Sequence, residues 1–403
     1  MVAMRQSKLP LLAIAFTVFL DILAFGMMIP DIQLRVRDDL GLDGIALGLV
    51  LALFSIVQFI VAPVLGRLSD RIGRRKILII TTVLATLGGF AYAFADTIAI
   101  LCLARVLQGA AAANIGVAYA YITDVTDESE RAGSMGFLGA AFGLGFVFGP
   151  PLGAFLLGAD GQNLMLLGMS SAVLSALNVI FVLAVLKESK KNVGENLDEF
   201  QAGPIRSLVN AFKIPNFGLL LLLFFVANFA MSNMESTWFL LTKDVYFISK
   251  QQGALLLTFV GIVIAVVQGA FVGPLSKRFG ELKLMRFGYL LTGPSLVFTP
   301  LVPVWIPVLL VCAGLATGSA LSGPTLQSII SKSAPIAIIG GTFGLTQSLG
   351  AIARILGPMI GNSMYAIDPW VPYAFAGALT LIPLALSFRI KRTSSASDPS
   401  AVS

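Results

Sequence analysis

The sequence contains no histidine and few charged residues, and each scarcity excludes a class of function. Asp, Glu, Lys and Arg make up 12% of the 403 residues, whereas soluble domains carry about 25%. Without histidine, any proton relay has to use carboxylates, arginines, hydroxyls and water. The sequence also contains no Walker-type phosphate loop and no cluster of metal ligands. We therefore expect no enzyme activity, no cofactor and no bound metal.

Cysteine is scarce as well, with two residues in the whole chain. Cys102 and Cys312 both fall inside apolar segments, a placement that does not support a disulfide framework. Their expected role is that of small apolar core residues.

Long apolar segments occupy most of the chain. Hydrophobic residues make up 57% of it, and the mean hydropathy is +0.90. The segments are about 20 residues or longer and do not alternate apolar with polar residues, so they predict membrane helices rather than barrel strands. The short basic segment before the first of them predicts a first membrane helix and not a cleaved signal peptide. The predicted fold class is an all-α integral membrane protein.

The apolar segments fall into two groups. Residues 1–186 predict an N-terminal six-helix bundle, and residues 217–390 predict a C-terminal six-helix bundle. Residues 187–216 are rich in Lys, Glu and Asn and predict a solvated linker, and residues 391–403 predict a tail. The twelve predicted spans are approximately 10–34, 45–66, 77–95, 98–122, 132–157, 164–186, 217–241, 252–275, 284–302, 306–330, 336–363 and 371–390.

Basic residues fall unequally on the two sides of the predicted membrane. An even number of spans puts both termini on one side, and 21 of the 27 Lys and Arg residues fall on that side. Four fall on the other side: Arg35, Arg37, Lys243 and Lys250. By the positive-inside rule, the termini, the linker and the tail are expected in the cytoplasm. The basic character of the chain therefore comes from Lys and Arg residues in the loops between spans. For this reason nucleic acid is not an expected partner.

An internal repeat relates the two halves. The segment from Gly66 to Lys76 aligns with the segment from Gly273 to Lys283 at an offset of 207 residues. Gly149-Pro150 aligns with Gly357-Pro358 at an offset of 208 residues. Because each motif recurs at the same place in its half, the halves are predicted to be parallel repeats, an architecture typical of transporters that move two bundles about a midplane site.

Two carboxylates, Asp21 and Glu235, lie within apolar spans. A charge at bilayer depth costs about 2.5–3.5 kcal/mol even on the most lenient scale, so such residues are usually functional. Asp21, midway along span 1, is expected to exchange protons, with an orienting hydrogen bond as the alternative. Glu235, in the outer half of span 7, is expected to be a proton site or a site for a cationic ligand. Snorkelling to the membrane interface is the alternative for Glu235.

Other polar residues within spans are candidates for lining a cavity. Arg105, in span 4, lies deep enough to need a partner, and a structural ion pair is one interpretation of it. The uncharged amides would also be explained by bonds between neighbouring helices. The cavity candidates are Gln58, Gln108, Asn114, Asn228, Asn233, Gln268, Gln347 and Arg354.

The loop Gly66-Arg-Leu-Ser-Asp-Arg-Ile-Gly-Arg-Arg-Lys76 joins spans 2 and 3. Gly66 and Gly73 permit a tight turn, and Asp70 can form charge-assisted bonds with the arginines that break when a gate opens. A basic loop with incidental turn glycines is the alternative interpretation. The loop resembles the signature loop of the major facilitator superfamily at nearly every position, and the resemblance implies that fold.

Three further motifs extend the resemblance: the motif in span 4 resembles an element of the superfamily, and the motifs in spans 1 and 5 resemble its drug:proton antiporter branch. Span 1 contains Asp21-Ile-Leu-Ala-Phe-Gly-Met-Met-Ile-Pro30, and span 4 contains Arg105-Val-Leu-Gln-Gly109. The first half most resembles the tetracycline efflux proteins. Two departures are Lys277, where the repeat loop would have aspartate, and the lack of a histidine that tetracycline pumps use in the second half. The antiporter motif of span 5 is matched by Gly139, Gly143, Gly149, Pro150 and Gly153.

The resemblance implies roles for several residues. Arg105 would join Asp21 and Glu235 in a proton path. Asp124, at the end of span 4, would pair with the arginines of the signature loop. The implied cytoplasmic gate consists of Gly66, Asp70, Arg71, Gly73, Arg74 and Asp124.

The implied function is proton-coupled export of small amphipathic drugs by a monomer in the plasma (inner) membrane, surrounded by membrane lipids. Protons are the expected coupling ion, with sodium as the alternative. In the same fold, a carrier for a physiological lipid, sugar or metabolite is the alternative function. A non-transporting membrane receptor is a third hypothesis, against which the cost of the intramembrane acids argues.

Overall fold

The computed structural model describes residues 9–126, 128–158, 163–189, 212, 216–302, 305–333 and 339–388. These residues form helices and their connections, with no strand among them. A helix stands at each of the twelve predicted positions. The helices are α1 (Leu9–Asp39), α2 (Gly44–Ile72), α3 (Arg74–Ala93), α4 (Ile98–Val125), α5 (Glu128–Leu156), α6 (Leu164–Val185), α7 (Phe217–Asp244), α8 (Lys250–Phe279), α9 (Glu281–Phe298), α10 (Ile306–Ser333), α11 (Ile339–Tyr365) and α12 (Val371–Ser387).

Nine of these helices are long and apolar enough to cross a membrane, counted over the residues that the structure describes. The other three are α9, α11 and α12. Helix α9 carries Glu281, Lys283 and Arg286 in its first turns, and α12 has 17 residues. The predicted tail, and all of the predicted linker except residues 187–189, 212 and 216, lie outside the described residues, so those boundaries stay predictions.

Matching glycines end α2 and α8. Gly73 has a φ of 105° and Gly280 a φ of 84°, and both angles are in the region that favours glycine. The Gly73 N–H donates to the carbonyl of Ser69, and the Gly280 N–H donates to the carbonyl of Ser276. The two turns are therefore built alike, which confirms the internal repeat predicted from the sequence.

Helices α1 and α7 are each interrupted near one end. In α1 the break lies just before Pro30, which provides no backbone donor. In α7 the break lies at Ser236 and Thr237, whose hydroxyls donate to the carbonyls of Asn233 and Met234. These local bonds compete with the continuous helix ladder, so α7 breaks without a proline.

The two halves meet through a few helices and enclose a cavity. Helix α2 lies against α11 and α5 lies against α8, and these are the main helix pairs between halves. Within the first half α1 packs against α5, and α3 packs against α4 and α6; within the second half α9 packs against α10 and α12. We call the end at which α1 begins and α12 ends the terminal face, and the other end the opposite face.

Candidate functional site

A cavity of about 2200 Å³ lies between the two halves. It extends along α2 to Gly66 and Asp70 and therefore reaches the terminal face. Toward the opposite face it ends at Gln33, Trp238 and Phe239, of which the last two are almost fully buried. Large aromatic and thioether side chains make up much of its wall, among them Phe25, Phe54, Phe142, Phe146, Met231 and Met234.

Asp21 lies in the cavity wall between three helices of the first half. One carboxylate oxygen accepts a hydrogen bond of 2.7 Å from Asn114 on α4, and the other accepts one of 2.8 Å from Asn178 on α6. No ion pair to Asp21 occurs among the described side chains. Asn178 was missing from the predicted residues, although an amide in an otherwise apolar span is the same signal that identified Asn114. The two amides orient the carboxylate without neutralising its charge.

Arg105 is buried in the wall of the same half. Its guanidinium donates to the side chain of Gln108 and to the carbonyl of Leu51, and its centre lies 4.8 Å from the centroid of the Phe54 ring. A second ring, that of Phe25, lies 6.0 Å away. In the part of the chain that the structure describes, Arg105 has no carboxylate partner, so the ion-pair interpretation is wrong. Hydrogen bonds and cation–π contacts hold the charge instead.

Glu235 lies at the end of the first segment of α7, where it lines the cavity and is exposed. Arg354, on α11, lines the same part of the cavity, and the two charges attract each other without a direct ion pair among the described side chains. The C-terminal half thus presents one acid and one base to the cavity, whereas the first half presents Asp21 and Arg105 separately.

The remaining cavity candidates differ in their position. Gln58 donates to the carbonyl of Ala112 and Asn228 to that of Phe224, and both line the cavity, as does Gln268. Asn233 is fully buried in the α7–α11 contact and lies outside the cavity. Gln108 lines the cavity and donates to the sulfur of Met28. The side chain of Gln347 lies outside the described part of the chain.

At the terminal face, the predicted gate residues converge on Arg74. Its guanidinium forms ion pairs of 2.7 Å with Asp70 and 3.2 Å with Asp124, and it donates to the hydroxyl of Ser69. Arg71, by contrast, is exposed. The structure therefore brings one arginine and two acids together, and Arg74 is the central residue of the group.

The start of the linker completes this cluster. The carboxylate of Glu188 accepts from the backbone N–H of Arg74 at 2.8 Å and from that of Arg75 at 3.2 Å, which caps the N-terminus of α3. The hydroxyl of Ser189 donates to Asp124 at 2.9 Å. A β-carbon at Gly73 would lie 2.4 Å from a carboxylate oxygen of Glu188, which as the end of a flexible side chain can shift, so it is the φ of 105° that requires glycine there. Sequence reasoning missed Glu188 because 114 residues separate it from Arg74.

Charged residues close the opposite face between the halves. Arg37 on α1 pairs with Asp244 on α7, and Lys243 reaches Asp38 at 2.5 Å. Lys250 on α8 reaches the buried Asp31 at 2.9 Å. The sequence placed these basic residues in loops, but the structure shows them in helix ends that join the two halves.

Known proteins resemble this chain over nearly its whole length. The family model described as the Major Facilitator Superfamily matches residues 14–398. The chain belongs to the Major Facilitator Superfamily. It is therefore a multi-pass membrane transporter for a small molecule, which agrees with two six-helix repeats around a central cavity.

Curated relatives within the Major Facilitator Superfamily are resistance proteins. Multidrug resistance protein 1 of Bacillus subtilis (strain 168) is 28% identical to this chain, and the alignment covers 98% of that protein and 96% of this chain. Tetracycline resistance protein, class C, of Escherichia coli is 31% identical to this chain, and the alignment covers 91% of that protein and 90% of this chain. The crystal structure of the human organic anion transporter MFSD10 has a TM-score of 0.72 at 23% identity, covering 94% of this chain and 99% of that one, and shows the shared fold.

The glycines of the antiporter motif in α5 divide into two groups. A β-carbon at Gly149 would lie 2.8 Å from the Cα of Gly26 on α1, and one at Gly153 would lie 1.8 Å from the carbonyl oxygen of Met27. Gly139 and Gly143 line the cavity, and a β-carbon at either would meet no atom within 4 Å. Pro150, within the same helix, also lines the cavity. One end of the motif therefore packs α5 onto α1, and the other end keeps the cavity wide.

This division predicts opposite effects of alanine on stability. Gly153→Ala should destabilise the protein by at least about 2–3 kcal/mol, because the obstacle is backbone and cannot move as a side chain would. Gly139→Ala should be neutral or slightly stabilising, because alanine is the better helix former by about 1 kcal/mol. Thermal unfolding of both variants in the same detergent tests this, and equal midpoints would contradict it.

Proposed function

We propose that this transporter is a proton-coupled antiporter that exports small amphipathic drugs by alternating access. The observation that carries the proposal is the environment of Asp21. Two amides hold its carboxylate in the cavity wall, and no basic side chain among the described residues pairs with it. Such a carboxylate can gain or lose a proton without breaking an ion pair, which is what coupling to protons requires.

The cavity wall supports the proposed class of substrate. Rings and thioethers such as Phe54, Phe146 and Met231 adapt to varied apolar shapes, and few polar groups interrupt them. Glu235 and Arg354 provide an acid and a base for the polar end of an amphipathic molecule. The names of the relatives, which refer to multidrug and tetracycline resistance, agree with drug export at the level of the family.

The proposed cycle uses the two faces in turn. In the present conformation the cavity reaches the terminal face, which the positive-inside rule puts in the cytoplasm, so a drug would enter from there. Opening the opposite face requires the ion pairs of Arg37, Lys243 and Lys250 to separate. The Arg74 cluster is already formed while the cavity reaches the terminal face, and its bonds join residues of the first half and the start of the linker, so it does not by itself latch the two halves together. We further propose a monomer in the inner membrane, bounded by lipid, with both termini cytoplasmic.

Proton movement in proteoliposomes tests the proposal. Vesicles that contain a pH-sensitive dye are exposed in turn to tetracycline, a cationic amphipath and a neutral amphipath. We expect drug addition to raise the lumenal pH as protons leave in exchange for the drug. Glu235→Gln should reduce the response to cationic drugs at least about tenfold, because it removes the acid that faces the cavity.

A matched control is Lys332→Gln, which removes an exposed charge from the terminal face of α10 and should leave the response unchanged. A folded wild-type protein that responds to none of the three compounds would contradict drug antiport. A subsequent response to lipids or metabolites would then identify a carrier for a physiological solute.

A further inference from the structure

The break in α7 leaves two backbone groups that its own helix cannot satisfy. The carbonyl of Glu235 lies at the end of the first segment, and the N–H of Phe239 lies in the first turn of the second segment, which begins at Trp238. Helix ends expose such groups, and they need a partner when they are buried. Phe239 is fully buried, so water does not serve it in this conformation.

Gln33, from the other half, serves both groups. Its amide N–H donates to the carbonyl of Glu235 at 2.9 Å, and its amide oxygen accepts from the N–H of Phe239 at 3.1 Å. Only one orientation of the amide satisfies both bonds, because a carbonyl accepts and an N–H donates. Gln33 is 4% exposed, so the pair of bonds is shielded from water.

These bonds join the two halves at the opposite face, which is closed in this conformation. Gln33 is on α1 and the break is on α7, so separating the halves at this face removes the amide from the break. The freed groups then meet water that enters the open face. The same residue, Glu235, has its backbone bound to Gln33 and its carboxylate in the cavity.

We propose that Gln33 is a positioning residue that couples Glu235 to closure of the opposite face. With the face closed, the Gln33 amide fixes the backbone of Glu235 and so sets how its carboxylate meets the cavity. With the face open, the carboxylate is released from this constraint. This inference rests on the proposed role of Glu235 in drug:proton exchange, and it deepens that role.

Other charged and titratable groups lie around the break. Arg354, on α11, is the base whose charge reaches Glu235. Asp31, on the same α1 segment as Gln33, is bonded to Arg35, Lys250 and Tyr92. Tyr373 on α12 is buried in the same core cluster. Gln33 differs from all of these because its contact is with the backbone of Glu235.

A fluorescence experiment on the full chain tests the proposal without requiring transport. The chain has three tryptophans, and Trp238 lies at the break with 2% exposure, whereas Trp305 and Trp370 are 50% and 41% exposed. Replacing Trp305 and Trp370 by Phe makes Trp238 the single reporter. Acrylamide quenching is then measured across pH, since opening of the opposite face exposes Trp238.

Gln33→Ala should shift the balance toward the open face at least about tenfold, because two backbone groups lose their partners in the closed state alone. It should also reduce the difference in the open-to-closed ratio between acidic and alkaline pH, by about tenfold for each pH unit of coupling lost. Glu235→Gln should abolish this pH dependence. In the Glu235→Gln protein, Gln33→Glu should give low quenching at acidic pH only, because a protonated carboxyl reproduces both bonds of the amide.

Gln251→Ala is the matched control. Gln251 on α8 donates to the carbonyls of Ala154 and Gly158 in the other half, at the same face, without touching Glu235. Its loss should raise the open-to-closed ratio by the same factor at every pH. If Gln33→Ala and Gln251→Ala behave alike and neither reduces the difference in this ratio between acidic and alkaline pH, the inference is overturned. Failure of the vesicle assay with a reduced difference in Gln33→Ala would instead overturn the drug-antiport proposal alone.

Discussion

Asp21→Asn is expected to reduce drug-driven proton movement and uphill drug export by at least about 100-fold, while the protein remains folded. Proton transfer by a positioned side chain contributes about 10²–10⁴-fold in enzymes, and an amide cannot exchange a proton near neutral pH. The measurement is drug-triggered pH change in proteoliposomes of wild type and variant. Drug binding, measured separately, should persist because the cavity keeps its shape.

The structure also indicates why this variant should fold. Both oxygens of Asp21 accept from amide N–H groups, so an asparagine there would place a donor against a donor, at a cost of about 1–3 kcal/mol. Asn114 can relieve the conflict by turning its amide, because its only described side-chain hydrogen bond is the one to Asp21, whereas Asn178 also donates to the carbonyl of Thr17. The thermal midpoint of the variant should therefore remain close to that of wild type.

Asp39→Asn provides the matched control on the same helix. The Asp39 side chain is 57% exposed at the opposite face and lies 4.0 Å from Arg35, outside the cavity. Exposed pairs of this kind contribute little, so transport should stay near the wild-type rate. Uphill export by Asp21→Asn at the wild-type rate would refute a coupling role for Asp21.

Gly48→Leu is expected to reduce transport about 100-fold by keeping the opposite face open. Gly48 lies where α2 of one half crosses α11 of the other, and a β-carbon there would lie 2.4 Å from the carbonyl oxygen of Pro358 and 2.5 Å from the Cα of Met359. Overpacking costs about 1–3 kcal/mol where side chains can move, and here the obstacle is backbone. About 3 kcal/mol against the closed face lowers its population about 100-fold.

Hydrogen–deuterium exchange distinguishes a trapped state from a misfolded one. In Gly48→Leu, exchange should rise in the second segment of α7, Trp238–Asp244, and remain slow in α3, which is distant from the contact. Gly48→Ala should give an intermediate transport rate. Leu49→Ala, at an adjacent side chain that is 45% exposed, is the control and should transport normally. Normal transport by Gly48→Leu would show that the two helices do not need this close approach.

Several parts of the site could not be predicted because they join residues far apart in the chain. Asn178 reaches Asp21 over 157 residues, Gln33 reaches Glu235 over 202, and Lys250 reaches Asp31 over 219. Single-sequence patterns report local periodicity and composition, and they contain no signal for such pairings. The same limit explains why Asn233 was expected in the cavity, since its spacing along α7 does not say which face meets α11.

The alternative interpretation of Arg105 as a member of an ion pair failed for a different reason. The sequence correctly indicated that a guanidinium at this depth needs a partner, but several kinds of partner satisfy that need. The structure uses Gln108, a backbone carbonyl and two aromatic rings, one of them Phe54. Which of these lies within reach depends on how α1, α2 and α4 pack together, and composition does not contain that information.

The sequence by itself determined the membrane class, the twelve helix positions and the repeat. Apolar length is a local property, and the turns at Gly73 and Gly280 follow from short motifs that recur in both halves. Tertiary structure alone decided which end of the cavity is closed, which acids pair with bases, and that Glu188 caps α3. The physical reason is that burial removes water from polar groups, and the groups that must then satisfy each other are chosen by the packing of the helices.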